Sequence, residues 1–158
     1  MRKRIKVITI MMLVVMFFIS GCIANTDKTS IYYDDSKIAK QGDSYSYIKV
    51  VRLVVNSSVE IKFNSFTGKN SIYKIEAAET DTISLYVKVK QESGNLKICL
   101  VDSNANVITL WENASDETLT FTVNAGENTI IMVGDDAKAE IAYSFIDKGN
   151  SAKINVID

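Results

Sequence analysis

From Tyr45 to the C-terminus, apolar and polar residues alternate with a period of two, and clusters of turn residues interrupt them at intervals of about 8–12 positions. This pattern predicts antiparallel strands packed as a sandwich or barrel. Tyr47–Val55 is a β-branched run ended by Asn56-Ser57-Ser58, and Val59, Ile61 and Phe63 then alternate with Glu60, Lys62 and Asn64. Turns are expected at Gly68-Lys69-Asn70, Ser93-Gly94-Asn95 and Gly134-Asp135-Asp136, the second of them a tight hairpin. Between them Leu85, Val87 and Val89 oppose Tyr86, Lys88 and Lys90, and Leu96, Ile98 and Leu100 oppose Lys97, Cys99 and Val101. Leu119, Phe121 and Val123 alternate with three threonines, and Ala139, Ile141, Tyr143 and Phe145 share one face. The expected fold is therefore all-β: an antiparallel, jelly-roll-like sandwich of about nine strands over residues 45–158.

The first 44 residues follow other rules. Arg2, Lys3, Arg4 and Lys6 precede the 13-residue apolar stretch Val7–Ile19. That order is a secretory n-region followed by an h-region, and the run is short of the ~20 residues a permanent span requires. Residues 23–44 are mostly polar with no sustained period. They are expected to form a flexible tether, with a short helix near 34–40 capped by Asp34 or Asp35.

Ile19-Ser20-Gly21-Cys22 places an aliphatic residue and two small residues directly before a cysteine. These four residues resemble the lipobox of bacterial lipoproteins. The resemblance implies a diacylglyceryl thioether on Cys22 and cleavage after Gly21. Residues 1–21 would then be the signal peptide, and residues 22–44 the lipidated N-terminus and tether. Two acyl chains hold a protein stably at a bilayer, where one does so only marginally. The implied location is the extracytoplasmic face of the cell membrane, or the outer membrane where the envelope has two. The covalent lipid is the only prosthetic group expected.

Composition narrows the function. Of 18 Lys+Arg, the four in the n-region would be lost, leaving 14 against 19 Asp+Glu, a net charge of −5. Arg52 is then the sole arginine, and no cationic cluster suited to nucleic acid remains. Histidine is absent, which removes Ser-His-Asp and Cys-His triads and His-ligated zinc. With Cys22 acylated, Cys99 has no partner in the chain and reads as a buried structural thiol.

Residues 71–147 resemble the bacterial prepeptidase C-terminal domain and related exported jelly-roll sandwiches. The features in common are the alternating strand Leu96–Val101, the turn residues Asp102 and Asn104, the Ala125-Gly126 turn before an aliphatic strand, and a closing strand after Gly134. The sequence departs from that pattern at Asn128, where a tyrosine is common in the family, and in lacking Gly-x-Tyr in the closing strand. The resemblance implies an accessory, non-catalytic module.

Candidate chemistry is sparse. Asp102, Asn104 and Asn106 fit the first three ligand positions of a calcium loop, but Val107 stands where glycine belongs and Asn113 where a bidentate Glu belongs. The simpler reading is a turn capped by Asx side chains, with no metal. The acid pairs Asp34-Asp35, Asp116-Glu117 and Asp135-Asp136 lie in expected loops and read as solvated charges rather than a catalytic pair. Trp111 and Tyr86 are the candidate ligand-stacking residues, with Tyr32, Tyr33, Tyr45 and Tyr47 behind them. Trp111 shares a strand face with Thr109 and Val107 in regular alternation, which leaves it either core or half exposed. The expected function is a non-enzymatic binding module for an envelope protein or wall glycan. The alternative is an accessory envelope subunit without a small ligand.

Overall fold

The computed structural model describes residues 26–56 and 58–157. Ile19, Ser20, Gly21 and Cys22 lie outside them. Two short helices, α1 (Thr26–Thr29) and α2 (Asp35–Ala39), precede eight strands. These are β1 (Ser44–Ile48), β2 (Val51–Val55), β3 (Ser58–Ala77), β4 (Asp81–Val101), β5 (Val107–Glu112), β6 (Glu117–Val123), β7 (Gly126–Asp147) and β8 (Ala152–Val156). Every pairing is antiparallel. Among the described residues no helix is long and apolar enough to cross a membrane.

Three strands are far longer than expected: β3, β4 and β7 have 20, 21 and 22 residues. Each passes through a stretch that reads as a turn in sequence: Gly68-Lys69-Asn70, Ser93-Gly94-Asn95 and Gly134-Asp135-Asp136. These are bends rather than reversals. Gly68 pairs with Gly134, Leu96 with Gly134, and Asn95 with Asp135, so the three bends lie side by side across the sheet. Register shifts concentrate there, between Phe63 and Gly68 on β3 and between Gln91 and Asn95 on β4. Bulges with glycine let a strand kink while keeping its neighbours. Gly134 also lies so close to Phe66 that a Cβ would collide with the ring.

The sheet thereby folds over on itself into two layers. The first runs β2, β3 (58–66), β7 (137–147), β4 (81–91), β6. The second runs β8, β3 (69–77), β7 (126–134), β4 (95–101), β5. β1 lies along the bend beside β3. Inward residues meet across the gap: the Tyr73 ring of the second layer stands edge-on to Tyr143 and Phe145 of the first, at 6.2 and 4.8 Å between centroids. One core holds Val59, Ile61, Phe63, Ile83, Leu85, Val87, Leu119 and Phe121 from the first layer, with Ile75, Leu96, Ile98, Leu100 and Met132 from the second. The sandwich and its alternation are as the sequence predicts, with eight strands in place of about nine because expected hairpins are bends.

The expected tether needs correction. Residues 28–43 pack on the outer face of the second layer, where Ile31, Tyr32 and Ile38 bury Cys99, Ile131 and Val133. Asp34 caps α2 by accepting from the Ser36 amide at 3.0 Å. Lys69, almost fully buried, donates to the carbonyls of Ile38 (2.8 Å) and Lys40, holding the end of α2 down. Asp43 accepts from the Ser71 amide and hydroxyl at 2.9 and 2.7 Å. The apolar residues of 23–44 fall in three short groups, Ile23-Ala24, Ile31-Tyr32-Tyr33 and Ile38-Ala39, too far apart to set up a period that marks a buried face.

Asp81 fastens the other end. It accepts from the amides of Asn150 and Ser151, both at 2.7 Å, and from its neighbour Thr82 at 2.8 Å. These donors hold its carboxyl below the usual range, as those of Ser36 do for Asp34 and those of Asn106 for Asp102. A carboxyl depressed on folding stabilises the fold above its unfolded pKa of ~3.9, and that contribution is lost as pH falls through the lower folded value. Without histidine the chain brings no imidazole titration between pH 5 and 8. The melting temperature should therefore be nearly flat from pH 7 to 5 and fall below about pH 4. Asp81→Asn should lower it at pH 7 and flatten its acid limb, as a pH series of melting curves would show.

Candidate functional site

The two outer faces of the sandwich differ. That of the second layer is covered by residues 28–43, while that of the first carries no covering segment among the described residues. Strand register writes the open face as three rows. The first is Val55, Ser58, Ser144, Tyr86 and Thr118; the second Leu53, Glu60, Ala142 and Lys88; the third Val51, Lys62, Glu140 and Lys90.

The middle of the face is hollow because Ala142 is small. A depression of about 290 Å³ is lined by Glu60, Lys88, Val89, Lys90, Glu140 and Ala142. Lys62 pairs with Glu140 at 3.2 Å. Both ends of that pair are well exposed, so it adds little to stability and its donors remain exchangeable. In the first row the hydroxyls of Ser58 and Ser144 lie 3.2 Å apart. Tyr86 is half-buried beside them, and its hydroxyl donates toward Asp116 Oδ2 at 3.4 Å. Asp116 Oδ1 accepts from the Val89 amide at 2.7 Å, which fixes the carboxylate that Tyr86 meets. The face thus offers a ring with its edge tied down, hydroxyls, and cations beside carboxylates.

Tyr86 lies where the alternation predicts. Trp111 does not remain a ligand candidate: it is 3 % exposed and belongs to the main core. The reason is a bulge. Ile98 pairs with Trp111 but Cys99 pairs with Thr109, so the strand carries an extra residue at Leu110. That slip turns Trp111 inward with Ile98, whereas Val107 packs toward the covered face. The indole N–H donates to the Ser115 carbonyl at 3.2 Å. Tyr32 is buried where the N-terminal segment meets the second layer, with its hydroxyl on Glu112 at 2.7 Å and the Lys97 ammonium 4.9 Å from its ring centre. Tyr47 stacks on Phe66 at 4.6 Å, while Tyr33 and Tyr45 are exposed.

The remaining candidates serve structure. Asp102 Oδ1 accepts from the amides of Asn104 and Asn106, both at 2.8 Å, and Oδ2 from the side chains of Asn106 and Asn124 at 2.9 and 3.0 Å. Its acceptor positions are filled by N–H groups, as a turn requires. Among the described residues no group of three or more acids or cysteines could hold a metal ion. Asp135 and Asp136 accept from Tyr33 and Ser65 at the bend. Cys99 is buried with its thiol pushed up to about 11 by desolvation, an inert state.

Glu60, Lys88, Glu140 and Ala142 are site residues that sequence reasoning left unassigned. Alternation puts Lys88 beside Tyr86, but the neighbours on β3 and β7 follow only from register.

No protein-family model matches the chain, and no curated protein is similar to it. Solved structures similar to the chain include a variant of a family 29 carbohydrate-binding module (15 % identity, 66 % of this chain and 79 % of that one, TM-score 0.36). Another is a family 6 module from Clostridium stercorarium in complex with cellobiose (15 % identity, 65 % and 86 % covered, TM-score 0.37). A third is the enzymatically active domain of a bacteriophage CBA120 tailspike protein (10 % identity, 83 % of this chain but 21 % of that one, TM-score 0.38).

Proposed function

We propose that this chain is an exported lipoprotein, anchored through Cys22, whose sandwich is a non-catalytic module that holds a wall glycan on the open face of the first layer. The observation that carries the glycan reading is the asymmetry of the two outer faces. One is sealed by the chain's own N-terminal segment. The other keeps a hollow beside a tyrosine ring, hydroxyls and exchangeable lysine and glutamate groups. Sugars bind such surfaces by laying an apolar ring face on an aromatic ring and trading hydroxyl hydrogen bonds at the rim. The anchor reading is supported by Ile19-Ser20-Gly21-Cys22 and the cationic start. Five residues lie between Cys22 and Lys28, a reach of at most about 20 Å, so an anchored sandwich would stand close to the bilayer.

The test pairs two variants. Tyr86→Ala should weaken co-sedimentation of residues 23–158 with purified wall polysaccharide about tenfold, or ~1.4 kcal/mol, at unchanged melting temperature. Cys22→Ser in the full chain should release the protein from membranes with binding intact. Equal pelleting of wild type and Tyr86→Ala would move the ligand off this face. Membrane retention of Cys22→Ser through a high-salt wash would rule out the lipid anchor.

A further inference from the structure

The exposed apolar residues of the molecule gather at one margin. Ile48, Val50, Val51, Leu53, Val54 and Val55 are 39–66 % exposed. Apart from them and Tyr45, only Tyr33, Ile108 and Ile146 are exposed large hydrophobic residues among the described ones. β1 and β2 follow each other along β3, so the six side chains form one continuous strip at the margin of the sandwich. Contiguous apolar surface of this kind marks contact with another body. Two observations say which body. The first is charge. After Gly21 the chain carries 14 Lys+Arg against 19 Asp+Glu, yet between Asp43 and Glu60 it has no acid, and its charges there are Lys49 and Arg52. An anionic lipid surface repels the acidic remainder and attracts this margin. The second is position. The Lys28 ammonium donates to the Tyr45 carbonyl at 3.0 Å, where the strip begins, and five residues lie between Lys28 and Cys22. Acyl chains on Cys22 would therefore enter the bilayer within ~20 Å of this point.

We propose that the strip from Ile48 to Val55 docks on the bilayer that holds the anchor and stands the sandwich upright on its β2 margin. The docking rests on the Cys22 anchor and deepens that reading; it stands whether or not the open face binds a glycan. The aliphatic side chains enter the boundary between headgroups and acyl chains, ~5–10 Å deep. They go no deeper, because the unpaired N–H and C=O groups of β2 need water or lipid oxygens, which hydrocarbon does not supply. Lys49, exposed at the corner between β1 and β2, brings its ammonium to the lipid phosphates. Arg52 turns the other way and donates to the Ile157 carbonyl, so it does not hold the strip off the surface. The acyl chains supply retention and the strip supplies orientation. In this pose the first layer rises from the bilayer strand by strand. Ala142 on β7, at the hollow, lies two strand spacings above β2, or ~10 Å, and β6 lies four above, or ~19 Å. The open face thus stays clear of lipid.

The test uses the full-length protein, purified from its own membranes and returned to vesicles of phosphatidylglycerol and phosphatidylcholine. Val50→Cys, Leu53→Cys and Thr120→Cys are each labelled with an NBD fluorophore, and lipids with a nitroxide on the upper acyl chain serve as quencher. With Cys22 acylated and Cys99 buried, the introduced thiol is the one that labels. Labels at 50 and 53 should be quenched about fivefold more strongly than the label at 120, which stands beyond the depth of the docked strip. Flotation of the vesicles reads the anchor separately. A chain that fails to float lacks the anchor, and the docking falls with it. A chain that floats, with labels at 50 and 53 quenched no more than at 120, keeps the anchor and overturns the docking. A label at 53 that is blue-shifted yet unquenched would show a protein covering the strip, and would overturn it as well.

Discussion

Trp111→Ala is expected to cost about 3–5 kcal/mol of folding stability, the range for emptying an aromatic site in a packed core. Trp111 contacts the main cluster beneath Ile98, and its N–H is satisfied by the Ser115 carbonyl, so alanine leaves both a cavity and a carbonyl without its donor. Against a total of ~5–15 kcal/mol that loss is severe. For a body of this size it corresponds to a melting temperature lower by roughly 10–20 °C. Trp111→Phe, which keeps most of the volume, should lose far less. Thermal unfolding followed by circular dichroism decides it. A wild-type melting temperature for Trp111→Ala, with glycan pelleting lost, would place the indole on the surface instead.

The same residue shows where sequence reasoning stops. Thr109 and Trp111 are two apart and should share a face, and one extra residue at Leu110 separates them. A bulge leaves no mark in a hydrophobic pattern, because the pattern counts residues and the bulge adds one. The inward sets Leu85-Val87, Leu96-Ile98-Leu100 and Leu119-Phe121-Val123 were legible because those stretches are regular. Tyr86 was legible for the same reason.

Gly68, Gly94 and Gly134 carry no local sign that separates a turn from a bend. A glycine amid polar residues fits a hairpin turn and a strand bend equally well, and only the pairing of all three strands across both layers separates the two. Long-range register also decided the site. Ala142 makes the hollow by being small between Glu60 and Lys88, a relation among three strands that no local window contains. The N-terminal segment was hidden for the opposite reason. Its buried residues, Ile31, Tyr32 and Ile38, are too few and too scattered to form a period.

Lys69→Met should free that segment while leaving the sandwich folded. Methionine keeps the apolar stem but deletes the ammonium that binds the Ile38 and Lys40 carbonyls at the end of α2. A hydrogen bond to a charged group contributes about 1.5–3 kcal/mol, and part of that is returned because the buried charge no longer has to be desolvated. Desolvation also pulls the Lys69 pKa below its ordinary value. A net weakening of about 2 kcal/mol raises the open population roughly 30-fold. Cys99 reports the opening directly. It lies under the segment with Ile38, fully buried, and a thiol reagent can reach it only when the segment lifts. Labelling of Cys99 in residues 23–158 should therefore accelerate about 30-fold in Lys69→Met while the main unfolding transition moves little, since opening is fast relative to labelling and the rate follows the open population. Wild-type labelling kinetics in that variant would mean that the apolar contacts of Ile31, Tyr32 and Ile38 hold the cover without the lysine.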